Sequence, residues 1–123
     1  MGAVPTMQSH SKGKAMSELG DKQRRFTWMV GQLIQFAYAN GYALSFGCAR
    51  CALPGHHMAN SLHYKGLAVD FNLYRRDAAG KWVYLQDTSD HKPLGEFWET
   101  IGGDWGGRFE DGNHYSLGHG GAR

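Results

Sequence analysis

The chain has 123 residues, of which 41% are hydrophobic and 20% charged, and its 13 basic and 11 acidic side chains give a net charge of +2. That length allows one domain with a modest core and excludes two. A charge so near balance does not point to nucleic acid, and no apolar run approaches the roughly 20 residues of a membrane span.

Residues 1–16 are polar and lack the apolar centre of a secretory signal. They read as a flexible leader, in part consistent with an expression remnant, so the chain is expected to be made and held in the cytoplasm. Residues 17–123 are expected to form a single domain. A helix is signalled from about Glu18 to Asn40, where Phe26, Met29, Val30, Leu33, Phe36 and Ala37 recur at helical spacing and Asn40-Gly41 supplies the stop. Tyr42, Leu44 and Phe46 then alternate as in a half-buried strand. Residues 47–60, with Gly47, Pro54 and Gly55 and no period, read as a long loop.

From Leu67 the odd positions Leu67, Val69, Phe71 and Leu73 are apolar and alternate with Ala68, Asp70 and Asn72, which predicts a strand with one polar face. Asp77-Ala78-Ala79-Gly80 reads as the turn into a second strand around Trp82 to Leu85. Pro93 opens a short helix with Leu94, Phe97, Trp98 and Ile101 on one stripe, behind Ser89 and Asp90 as candidate caps, and Gly102-Gly103 ends it. A glycine-broken segment containing Trp105 leads to a last short strand around His114 to Leu117. Eighteen glycines favour a turn-rich fold over a helical bundle. A helix followed by antiparallel strands with a second helix inserted is an α+β pattern.

Two stretches carry candidate chemistry. Ser61-Leu62-His63-Tyr64-Lys65-Gly66-Leu67-Ala68-Val69-Asp70 and Asp111-Gly112-Asn113-His114 together offer two imidazoles and a carboxylate as metal ligands, with a second carboxylate to spare. Three protein ligands and an open position are the stoichiometry of a catalytic zinc site, and the spare carboxylate is what an activated water needs as proton acceptor. Asp70 points away from the core, and Gly66 lets the chain bend so that His63 can return over it. His114 has to arrive from a neighbouring strand. Each residue alone has an ordinary reading, as a surface histidine or a turn aspartate; the combination is what points to a site.

Cys48-Ala49-Arg50-Cys51 is a C-x-x-C, and His56 extends it toward a zinc knuckle whose fourth position is Ser61, so the knuckle is incomplete. Without a surrounding βαβ pattern the pair reads as reduced thiols. His56 and His57 read as solvated loop residues beside the cleft, and His10, His91 and His119 receive no role. Trp28 and Trp98 read as packing, while Trp105 between glycines suits either a substrate groove or the core.

The spacing Ser61-x-His63-x-x-Gly66-x-Ala68-x-Asp70 resembles the S-x-H-x-x-G-x-A-x-D signature of the M15 peptidases, zinc enzymes that cut peptidoglycan stem peptides. Trp105-Gly106-Gly107-Arg108-Phe109 followed by Asp111-x-x-His114 is similar to the phage endolysin branch, and the likeness runs from about Gly20 to Leu117. The resemblance implies that His63, Asp70 and His114 bind zinc and that Asp111 is the base. It also implies that Arg50 and Ser61 contact substrate, and that the fold is a small antiparallel sheet with flanking helices, shared with the hedgehog signalling domain. Tyr115-Ser116 stands where many relatives have an aromatic residue and then Glu, which leaves Glu110 as a rival base. The expected activity is a monomeric endolysin hydrolysing the L-Ala–D-Glu bond of stem peptides. A D-alanyl-D-alanine carboxypeptidase and a non-catalytic zinc-stabilised binding module are the alternatives.

Overall fold

A computed structural model describes residues 17–48, 62 and 65–118. The first helix, α1, runs Glu18–Ala39 and begins where Ser17 Oγ accepts the Gly20 N–H at 3.0 Å, with Glu18 and Asp21 in the first turn against the positive end of the helix dipole. Its stripe is narrower than the periodicity suggests: Phe26, Met29, Leu33 and Ala37 are buried, while Val30 and Phe36 lie half-buried at its margin. Phe36 stacks on Phe97 at 4.4 Å.

Strand β1 (Tyr42–Cys48) pairs antiparallel with β2 (Ala68–Arg76), which pairs in turn with β3 (Trp82–Leu85) at its far end and with β5 (His114–Ser116) at its near end. A two-residue strand, β4 (Asp104–Trp105), lies outside β5, so the sheet order is β1-β2-β5-β4 with β3 beside β2. The hairpin β2–β3 closes on Asp77, whose Oδ1 accepts the N–H groups of Ala79 and Lys81. Along β2 the predicted alternation holds. Val69, Phe71 and Leu73 are buried against the helices, while Asp70, Asn72 and Tyr74 face the other way and are half-buried. Ala68 departs from the pattern and is also buried.

The second helix, α2 (Lys92–Thr100), carries Pro93 in its first turn. Ser89 and Asp90 do not cap it. They sit inside a 3₁₀ turn, Thr88–His91, which Asp90 closes by accepting the Asp87 N–H through Oδ2 at 3.2 Å; the residue before α2 is His91. A single tight turn satisfies those backbone groups, so the helix starts later than the cap residues suggest. Leu94 and Trp98 of α2 join α1, β2 and Tyr115 in one core, in which Trp98 meets Phe26 and Tyr115 edge-on.

The described residues thus form an α+β fold of two helices and a five-stranded antiparallel sheet, as expected. No described helix is long and apolar enough to cross a membrane. Strand β4 and a second 3₁₀ turn, Gly106–Phe109, lie where the sequence offers only broken glycine spacing. Of the loop expected at 47–60, Gly47 and Cys48 instead end β1, and residues 49–60 lie outside the described residues, as do the leader at 1–16 and Arg50, Cys51, His56, His57, Ser61, His63, His10 and His119.

Candidate metal centre and active site

Asp70 and His114 reach one another because two strands are held in a definite register. Ala68, Val69 and Asp70 face Ser116, Tyr115 and His114 across an antiparallel ladder. Flanking bonds from Phe71 N–H to Asn113 O (2.9 Å) and from Leu117 N–H to Leu67 O (2.9 Å) extend it. Directly opposed residues share a face, so Asp70 and His114 stand together on the side of the sheet away from the helices. His114 Nδ1 lies 3.1 Å from Asp70 Oδ1, with the two side chains 16% and 21% exposed.

What holds β5 in that register is Tyr115. Its ring is fully buried among Phe71, His91 and Trp98, its hydroxyl lies 2.8 Å from His91 Nδ1, and Trp98 Nε1 donates to Ser116 O at 2.9 Å. Because strand side chains alternate, a one-residue slip would turn Tyr115 to solvent and His114 into the core. His91, for which the sequence offered no partner, therefore supports the site from beneath it. Burial holds the His91 imidazole down to a pKa of about 4, against an ordinary 6.5, with the Asp90 charge partly opposing the shift.

The consequence is testable. The unfolded chain protonates this histidine near 6.5 and the folded one only near 4, so between those values the unfolded state binds more protons. Stability is complete above pH 6.5 and falls as the pH drops toward 4, by roughly 3 kcal/mol in total. The thermal midpoint measured across this window should show that slope, and His91→Asn should flatten it.

The loop ahead of His114 is fastened by its backbone. Asp111 N–H donates to Gly106 O (3.0 Å) and His114 N–H to Asp111 O (3.1 Å). Gly112 N–H donates to Thr88 Oγ1 (3.2 Å), and Trp105 Nε1 donates to Gly112 O (2.7 Å). A β-carbon on Gly106 would sit 2.3 Å from Asp111 O and 2.8 Å from the His114 β-carbon. Only glycine lets the 3₁₀ turn lie this close beneath both residues. Behind it Arg108 forms a two-pronged pair with Glu99 of α2, both contacts at 2.8 Å. That hydrogen bond holds the Glu99 carboxyl below its ordinary pKa.

Asp111 is exposed at the start of this loop, one turn before His114. Glu110 is exposed too, and it adopts φ +60°, a left-handed conformation that is unfavourable for a side chain of this type. Trp105 is half-buried. β-carbons on Gly95 or Gly107 would come within 2.0 and 2.2 Å of its ring, so the indole packs closely against both glycines while its N–H braces the loop at Gly112.

Among the described residues no group of three histidine, cysteine, aspartate or glutamate side chains gathers around one point; His63 lies outside them. The pair that is present fits a zinc ion. Zinc bonds to imidazole nitrogen and carboxylate oxygen at about 2.0–2.1 Å, so two such ligands at tetrahedral angles stand about 3.3 Å apart. The observed separation is 3.1 Å, which is equally the length of a direct hydrogen bond between the two side chains. A bulge in β1 between Phe46 and Cys48 falls opposite Asp70 and Phe71, with Gly47 against the Asp70 backbone. Such bulges often re-aim strands beside active sites. The Gly106 contact and the Tyr115–His91 anchor are the features the sequence did not reveal. The one signal available was the pattern His114-Tyr115-Ser116, a large apolar ring between two polar residues.

Comparison with known families gives a match. A peptidase model of the M15 group, described as D-alanyl-D-alanine carboxypeptidase, matches residues 55–117, just over half of the chain. The matched segment contains His63, Asp70, Asp111 and His114. No curated protein matches the chain.

Proposed function

The chain belongs to the M15 peptidase family, and on that premise we propose that it is a zinc-dependent endolysin cleaving the L-Ala–D-Glu bond of peptidoglycan stem peptides. The observation that carries the reading is the Asp70–His114 pair, 3.1 Å apart on the face of the sheet away from the helices, with Asp111 one turn away on a braced loop. His63, Asp70 and His114 are the residues that would hold the metal. Zinc there would supply Lewis acidity and a water of near-neutral pKa.

The chain's own residues supply the rest. The Asp111 carboxylate takes the proton of the attacking water and returns it to the leaving amine. Its exposure lets the carboxylate meet both in turn, and the main-chain bonds to Gly106 and His114 keep it near the site. Arg50 is the cation proposed to engage a substrate carboxylate. Ser61 adds a hydrogen bond to substrate or ligand.

Glu110 is the competing base, and its backbone offers a clean test. Glu110→Gly removes the rival carboxylate and relieves the left-handed φ. It should leave peptide hydrolysis within about twofold, with stability unchanged or raised by up to about 1 kcal/mol. Loss of hydrolysis with retained folding would transfer the role of base from Asp111 to Glu110.

The description of the matching family model favours a second reading, a D-alanyl-D-alanine carboxypeptidase. Mass spectrometry of the products from purified Gram-negative-type peptidoglycan separates the two. Stem peptides bearing a free D-Glu amine support the endopeptidase, whereas release of D-Ala alone supports the carboxypeptidase. Stoichiometric zinc binding with neither product would sink both in favour of a binding module.

A further inference from the structure

The face of the sheet that carries Asp70 and His114 does not stop there. Along β2 it continues through Asn72, Tyr74 and Arg76. The register sets Ser45 of β1 opposite Asn72, Tyr84 of β3 opposite Tyr74, and Trp82 opposite Arg76. Paired residues share a face, so these six side chains form one strip leading away from the candidate metal pair. From Asp70 to Arg76, six residue steps along β2, the face is about 20 Å long.

The strip is both aromatic and polar. Trp82 and Tyr84 are 48% and 49% exposed, although nothing in the core requires rings at either position. The Tyr74 and Tyr84 rings lie 5.5 Å apart and tilted, and the Arg76 guanidinium lies 4.1 Å from the centre of the Trp82 ring. Between the rings runs a chain of hydrogen-bonding groups. Ser45 Oγ lies 3.0 Å from Tyr74 OH, Asn72 Nδ2 donates to Ser45 Oγ at 3.3 Å, and Tyr84 OH donates to Asn72 Oδ1 at 3.5 Å. Each of these groups keeps capacity for a further partner.

Half-exposed aromatic rings interleaved with hydroxyl and amide groups suit a particular ligand. A pyranose ring has an apolar C–H face that lies against an aromatic ring, and a rim of hydroxyl and acetamido groups that needs donors and acceptors beside it. A peptide adding to a sheet would instead use backbone groups at a strand edge. On β1 that edge is already occupied at Leu44, whose N–H and C=O both bond the Tyr38 hydroxyl. An apolar surface alone would not explain the row of amide and hydroxyl groups.

We propose that this strip binds the N-acetylated amino-sugar chain of peptidoglycan, so that the attached stem peptide is delivered along β2 to the Asp70–His114 pair. The proposal rests on the peptidase reading above. It gives the enzyme a hold on the polymer through its own catalytic domain.

The test compares two substrates, intact peptidoglycan and a synthetic stem peptide without sugars. In Trp82→Ala and Tyr84→Ala the ratio of polymer to free-peptide hydrolysis should fall at least tenfold. Tyr84→Phe, which keeps the ring and removes one hydroxyl, should fall between these variants and the unaltered chain. An unchanged ratio would overturn the proposal. A titration of the unaltered protein with chitotetraose, followed by NMR, reads the face without any catalysis. Shifts at Asn72, Tyr74, Trp82 and Tyr84 that vanish in Trp82→Ala support it. Shifts there with the sugar-free peptide, or none with the sugar, overturn it. If the unaltered protein hydrolyses neither substrate, the peptidase reading fails, and the titration still decides whether the strip binds sugar.

Discussion

Asp111→Asn should lower the turnover number for stem-peptide hydrolysis by about 10³-fold, within the range that a positioned acid–base group contributes, and should leave zinc bound. The substitution is nearly isosteric, and the bonds that organise the loop are main-chain bonds: Asp111 N–H to Gly106 O and His114 N–H to Asp111 O. The loop and His114 therefore stay in place while the proton acceptor is lost. Steady-state kinetics together with metal analysis of the same preparation checks both halves. A joint loss of metal and activity would make Asp111 a ligand or a structural residue. Retained activity would pass the role of base to Glu110.

Asp70→Ala should weaken zinc binding at least 100-fold and abolish hydrolysis, yet barely change the stability of the metal-free protein. The reasoning turns on what the 3.1 Å contact is for. Taken by itself, the Asp70–His114 contact, between side chains 21% and 16% exposed, is worth on the order of 1 kcal/mol. As part of a metal site it couples to binding, and zinc at 100 times its dissociation constant adds about 2.7 kcal/mol to the folded state. The thermal midpoint of the chelator-treated protein should thus be nearly the same with and without Asp70. The rise on adding zinc should appear only in the unaltered chain. A large fall in the metal-free midpoint would mean that the contact is structural and that the site is not a metal centre.

These expectations lean on features of unequal legibility. The helix α1 and the face of β2 were readable because each is a local matter. The spacing of Phe26, Met29 and Leu33, and the alternation of Val69, Asp70 and Phe71, follow from the geometry of a single element. The start of α2 was less readable, since a 3₁₀ turn and a helical cap compete for the same residues at Ser89 and Asp90. Trp105 suited a groove or the core equally. Its contacts with Gly95 and Gly107 and its bond to Gly112 come from three separate stretches of chain, and no window of sequence contains them.

By itself, the sequence singled out the candidate side chains at 61–70 and 111–114 and determined which way Asp70 faces, because residue type and strand period are properties of short segments. Tertiary structure alone decided that His114 meets Asp70, a residue 44 positions away. That meeting depends on the register of β5, and the register depends on Tyr115 finding His91, Phe71 and Trp98 in the core. It also decided that Gly106 lies under the loop and that Tyr84 and Trp82 extend the face of Asp70. The physical reason is the same in each case: packing and strand pairing join residues distant in the chain, and only the folded core selects one pairing among the many that the local patterns allow.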